Sequence, residues 1–176
     1  MTRLKFLALA LMSIGFTACL DTTAPQEYAT VANTTFDPSL NVDLANSTKT
    51  DVGVYYRDIT VGTGPVIAPL QDSYMYYHAY LSTGVQFDSV TATSSQSGAP
   101  AHFITGNGSI TPGFEIGLNG MRVGGRRQII VPPDLAYGLN DLRDGNGNVI
   151  IPGNSVLVFM VDLTDAAGGN GTTPTP

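Results

Sequence analysis

The residues that ordinarily carry enzyme chemistry are scarce in this chain and badly placed for it. There is one cysteine, Cys19, and there are two histidines, His78 and His102. No set of His, Cys and Asp has zinc spacing. Ser109 lies in Gly108-Ser109-Ile110, not in the elbow that presents a nucleophilic serine. Asp144, Asn146 and Asn148 alternate as a calcium loop begins, but Val149 and the apolar residues after it break the pattern. Asn-Gly at that place more simply makes a hairpin turn. Gly62-Thr63-Gly64 and Gly106-Asn107-Gly108 lack the helix fingerprint of a nucleotide site and read as turns. The chain has seven Phe and eight Tyr, and taken singly such residues fill cores more often than they line sites.

Ordered motifs give those rings a meaning that none has singly. One is Ile110-Thr111-Pro112-Gly113-Phe114, followed by Gly117-Leu118 and Met121-Arg122-Val123-Gly124. Another is Val131-Pro132-Pro133-Asp134-Leu135-Ala136-Tyr137-Gly138, with Ile150-Ile151-Pro152 beyond it. Upstream lie Tyr77 and Gly84-Val85-Gln86-Phe87-Asp88-Ser89. In this order and spacing they resemble the FKBP-type peptidyl-prolyl cis-trans isomerases over Val52 to Asp165. The resemblance implies an α+β fold, a twisted antiparallel β-sheet wrapped around one short α-helix. It implies catalysed rotation about Xaa-Pro bonds, whose conjugation sets a barrier of about 18–20 kcal/mol. That reaction needs no cofactor, nucleophile or metal, only a cup that holds the amide twisted and a few donors for flanking carbonyls.

By the same resemblance, Tyr77, Asp88 and Tyr137 are the catalytic residues. Asp88 would accept the Tyr77 hydroxyl proton in a hydrogen bond, and Tyr137 would donate to the carbonyl near the twisted bond. Phe87, Ile110, Thr111, Phe114, Ile151 and Phe159 would bind substrate, Thr111 through its backbone N–H. Phe114 stands where the family more often has Trp. The segment from Val90 to Pro100 has no Arg to support the acid, and Ala101 stands where an aromatic often lines the pocket. The segment from Gly138 to Ile150 is longer than usual and lacks an aromatic or histidine tip. A rival reading keeps the cup and drops the turnover, leaving a proline-segment binding or chaperone module.

These side chains need a sheet and a helix to position them. Val54 to Val61 is β-branched and aromatic and ends in a Gly-Pro turn. Ser73 to Leu81 alternates, with Met75, Tyr77, Ala79 and Leu81 on one face and Tyr74, Tyr76, His78 and Tyr80 on the other. The second face is an aromatic stripe, covered by the N-terminal segment or a neighbouring strand, or else open to a partner. Arg126 to Val131 is a strand that Pro132-Pro133 ends, and Ser155 to Thr164 puts Leu157, Phe159, Val161 and Leu163 on one face. A short helix starts at Pro112 with Thr111 as its N-cap. It buries Phe114, Leu118 and Met121, and it ends at Gly120 or Gly124.

The ends read differently from the middle. Residues 1–18 form a lipoprotein-type signal, with Arg3 and Lys5 before the apolar run Phe6 to Phe16 and small residues before Cys19. Cys19 would then carry the lipid that holds the protein to the membrane. Leu20 after it favours the outer membrane of a bacterial envelope, with the domain facing the periplasm or the surface. Residues 19–51 read as a tether holding a short strand near Val42 to Leu44, residues 52–165 as the domain, and residues 166–176 as a tail. The net charge of -6 and the lack of a basic run exclude a nucleic-acid partner. The expected partners are proline-containing unfolded or flexible polypeptides, met by a monomer.

Overall fold

The computed structural model describes residues 26–94 and 98–167. The signal and Cys19 lie outside the described residues, as does the tail beyond Ala167. In chain order the strands are β1 (Thr48–Lys49), β2 (Tyr55–Thr60), β3 (Asp72–Leu81), β4 (Gln86–Val90) and β5 (Ala101–Ile104). The helix α1 (Pro112–Leu118) comes next. It is followed by β6 (Arg126–Val131), β7 (Leu142–Arg143), β8 (Val149–Ile151) and β9 (Leu157–Ala167).

All pairings are antiparallel, and the main sheet runs β1-β2-β6-β9-β3-β4, with β5 also on β3. The long strand β3 makes this possible. Its Tyr77–Tyr80 end pairs with β4 and its Asp72–Met75 end pairs with β5, while β9 lies along its other edge. β7 and β8 form a separate hairpin. Asp144 accepts hydrogen bonds from the backbone of Asn146 and Asn148 and from the Asn148 side chain, so its carboxylate organises the turn.

The helix packs on the inner face of the sheet. Phe114, Leu118 and Met121 are buried there against Met75, Ala79, Ile129, Val131, Phe159 and Val161. Two glycines set how closely it sits. A Cβ on Gly113 would lie 2.2 Å from Val131 Cγ1, and one on Gly117 would lie 2.2 Å from Ile129 Cγ2. Thr111 takes the N-cap position without a side-chain capping bond, and Asn119 caps the other end, with Gly120 next at φ 74. Arg127 is 3% exposed and donates to the carbonyls of Gly117 and Asn119 at that end, where the helix dipole favours a cation. Its charge is met by a bidentate pair with Asp58 at 2.7 and 2.9 Å.

The N-terminal segment departs from the expected tether. Val31 and Leu40 are buried on the outer face of the sheet with Ile130, Val156 and Val158. Phe36, Val42, Leu44 and Tyr80 pack around them. Gln128 Nε2 donates to the Leu40 carbonyl at 2.7 Å, and the Asp37 N–H donates to the Ser82 carbonyl at 2.8 Å. The reason lies in β6 and β9, which are apolar on both faces and need cover on both. The short strand is Thr48–Lys49, not Val42 to Leu44. At the other end Ala166, expected in the tail, is buried in β9.

Of the aromatic stripe, only Tyr80 joins the N-terminal layer. Tyr74 stacks on His102 with ring centroids 4.8 Å apart, and Tyr76 donates to the Gly98 carbonyl. His78 points the same way, hydrogen-bonded to Gln86.

Candidate active site

The inner face of β3 and β9, residues of β4 and β5, the start of α1 and two loops line an open cavity of about 440 Å³. It is lined by Tyr77, Phe87, Asp88, Phe103, Gly108, Ser109, Ile110, Thr111, Phe114, Tyr137 and Phe159. Alternation along β3 aims Tyr77 inward, and pairing with Ile129 and Ala79 fixes Phe159 in the middle of the sheet. A bulge explains how neighbours Phe87 and Asp88 both reach the cavity. Ala79 pairs with Asp88 and Tyr80 with Gln86, so Phe87 is the extra residue and the two-residue alternation fails there.

The rings form a continuous wall. Phe114 lies at the bottom, 4.6 Å from Phe159 between centroids. Phe87 meets Phe159 edge-on at 6.3 Å, and Phe103 meets Phe114 edge-on at 6.5 Å. Tyr77 is tilted toward both Phe103 and Phe114, at 6.1 and 6.4 Å. In the two edge-on contacts a ring's positive rim meets its neighbour's negative face, a favoured arrangement.

Polar groups share the lining with the rings: Asp88, Ser109, Thr111 and the phenols of Tyr77 and Tyr137. The Tyr77 hydroxyl donates to Asp88 Oδ2 at 2.7 Å, and the Ser89 N–H donates to Asp88 Oδ1 at 2.8 Å. Burial raises the Tyr77 phenol well above its ordinary pKa, and the Asp88 hydrogen bond and charge and the nearby Tyr137 raise it further. Tyr137 stands at the rim, 41% exposed. Its pKa is also raised, first by burial and then by the Asp88 carboxylate, so the acid faces both phenols. Among the described residues, no protein acceptor engages the Tyr137 hydroxyl or the Thr111 N–H. Both residues line the cavity.

The expected site residues therefore come together around one cavity, with one exception. Ile151 is 1% exposed and packs in the core beneath the β7–β8 hairpin, away from the cavity lining. It belongs to β8 and is buried in the core although its strand partner Leu142 is exposed. Phe103 was missed. The expectation fixed on Ala101, but alternation along β5 puts Ala101 and Phe103 on one face, and Phe103 brings the ring. Gly108 and Ser109 also line the cavity and carried no signal of their own. No cation pairs with Asp88 among the described residues, so its support comes from the Ser89 N–H. Asp144 takes part in no cluster of metal-ligating groups among the described residues.

This fold and this ring-lined cavity place the chain among small antiparallel-sheet proteins that close over one helix. The family model for FKBP-type peptidyl-prolyl cis-trans isomerases matches residues 59–164. The chain belongs to the FKBP-type peptidyl-prolyl cis-trans isomerase family. It is 41% identical over 108 residues to an FK506-binding protein of Streptomyces anulatus, covering 61% of this chain and 81% of that one. It is 37% identical over 136 residues to FK506-binding protein 4 of Mycosarcoma maydis, covering 77% of this chain and 33% of that one. The chain thus spans about a third of the fungal relative's length. Among solved structures, AtFKBP13 superposes with a TM-score of 0.60 at 31% identity, covering 69% of this chain and 98% of that one.

Proposed function

We propose that this protein catalyses cis–trans isomerisation of Xaa-Pro bonds in exported polypeptides, working from a membrane surface to which Cys19 tethers it. The observation that carries the reading is the ring cluster: Tyr77, Phe87, Phe103, Phe114 and Phe159 line one cavity with two donors, the Tyr137 hydroxyl and the Thr111 N–H, that have no acceptor among the described residues. A proline ring entering the cup would displace water and pack on Phe114 and Phe159. Its amide would then sit in an apolar medium, which disfavours the charge-separated resonance form that gives the bond its stiffness. The Thr111 N–H would hold one flanking carbonyl. The Tyr137 hydroxyl would donate to a carbonyl flanking the twisting bond, in a contact that lines up only once the chain has turned. Asp88 orients the Tyr77 phenol and so fixes one wall of the cup.

The chemistry selects flexible chains, because the substrate's backbone must turn inside the cavity. Uncatalysed rotation takes tens of seconds or longer, slow enough to limit folding. The envelope location and lipid anchor rest on the residues around Cys19, and the protein is taken to act as a monomer. Replacement of Cys19 by Ala should abolish incorporation of labelled fatty acid and release the protein from the membrane fraction. Unchanged labelling would remove that part of the proposal. For the activity, the test is a protease-coupled assay on Xaa-Pro peptides with Tyr137→Phe and Asp88→Ala alongside. The reading expects both variants to lose turnover while peptide affinity stays near wild type. Peptide binding by the parent protein with no rate above background would favour the binding-module reading instead.

A further inference from the structure

The N-terminal segment reaches the active site through one side chain, Asn154. This residue lies between the β7–β8 hairpin and β9 and takes the left-handed conformation, φ 61, which Asn tolerates better than most residues. Its Oδ1 accepts the Ala29 N–H at 2.7 Å, and its Nδ2 donates to the Glu27 carbonyl at 3.2 Å. Its own backbone N–H donates to the Gly138 carbonyl at 2.8 Å. Gly138 directly follows Tyr137 and holds φ 75, so the turn that presents the rim phenol is fixed through this bond. The Gly138 N–H returns to the Pro133 carbonyl at 2.8 Å, which closes the turn. One amide side chain thus bridges residues 27–29, outside the 59–164 family match, to the backbone beside the phenol.

We propose that Asn154 is a positioning residue for isomerisation: by clamping the Glu27–Ala29 backbone it sets the Gly138 turn and hence the place of the Tyr137 hydroxyl. The segment ahead of the family domain is then part of the working site and not only cover for the sheet. The inference rests on the reading that Tyr137 acts at the rim.

The geometry separates this role from general stability. Asn154→Gly keeps the left-handed backbone without strain and removes both side-chain bonds. Ala29→Pro removes the N–H that Asn154 receives, from the other partner. Asn154→Asp keeps an acceptor and tolerates the same backbone. In the full chain, Asn154→Gly should lower kcat about tenfold with KM within about twofold, since misplaced donors cost transition-state contacts more than ground-state ones. Ala29→Pro should do the same, the double variant should lose no more than either alone, and Asn154→Asp, which keeps the acceptor for Ala29 but loses the donor to Glu27, should fall between wild type and Asn154→Gly. Far-ultraviolet dichroism and melting midpoints would confirm that each variant is folded at the assay temperature. Wild-type kcat in folded Asn154→Gly, or losses that multiply in the double variant, would overturn the clamp while leaving the Tyr137 reading intact. A Tyr137→Phe variant with undiminished kcat would instead overturn that reading, and the clamp with it.

Discussion

Asp88 and the two phenols make the pH behaviour of the site predictable. Tyr77 and Tyr137 both hold their protons above the ordinary phenol value near 10. Tyr137 should therefore remain a donor from pH 6 to about 9, and the kcat profile should be flat across that range as far as the phenols set it. For stability the sign follows from the proton count. Above pH ~10 the unfolded chain releases phenol protons that the native state keeps, so unfolding becomes easier as pH rises. Below pH ~10 this contribution is fully present. Urea midpoints measured from pH 8 to 11 should stay level and then fall, and a rise above pH 10 would contradict the assignment. Tyr137→Phe should lower kcat/KM about tenfold with little change in KM, as expected for a donor used mainly in the transition state.

Strand β6 and helix α1 pack closely because Gly113 and Gly117 leave room for Val131 and Ile129. Gly117→Ala should destabilise the protein by about 1–3 kcal/mol through overpacking against Ile129, despite alanine's better helix propensity. Denaturant titration checks this, and a neutral or stabilising result would mean that the helix can lift from the sheet. Much at this scale was legible. The two-residue period of β3 and β9 and the Pro112 start of α1 are local signals, and each gave its element within a few residues. The bulge at Phe87 and the short strand β5 were not legible, because a bulge breaks the very period used to find it and β5 has only four residues. That is why Phe103 was missed and Ala101 was singled out. Ile151 lies in the core cluster and outside the cavity lining, and motif spacing does not say which side of a hairpin faces the core.

For the molecule as a whole, the sheet is sandwiched: helix and site on one side, N-terminal segment on the other. The composition of residues 26–51, rich in Thr, Asn and Asp, hid the few apolar residues that dock. The two-sided apolar character of Ile129-Ile130-Val131 and of Val156 to Phe159 was the available sign that something must cover the outer face. Leu40→Ala should cost about 2–5 kcal/mol in urea unfolding, as burial in a packed layer requires, and a change near zero would show that the segment adds no stability. Acid should loosen this layer and the hairpin. Asp37, Asp43 and Asp144 have lowered pKa values, chiefly through hydrogen bonds from the side chains of Ser39, Asn46 and Asn148. Lowered values favour the fold above the ordinary carboxylate range, and that support is lost as pH falls through them. Hydrogen exchange at acid pH should show Pro38–Leu40 and the turn between β7 and β8 opening before β3 and β9.

If this ring-lined cavity speeds rotation about a prolyl bond, exchange NMR on a labelled Xaa-Pro peptide will show it without a coupling enzyme. With substoichiometric full-length protein, cis and trans resonances should show exchange cross-peaks well within the tens of seconds that free rotation takes. Tyr137→Phe should slow that exchange about tenfold at equal peptide saturation. If the peptide's resonances shift on binding but its cis–trans exchange stays at the uncatalysed rate, the cavity binds proline without turning it, and the account is wrong.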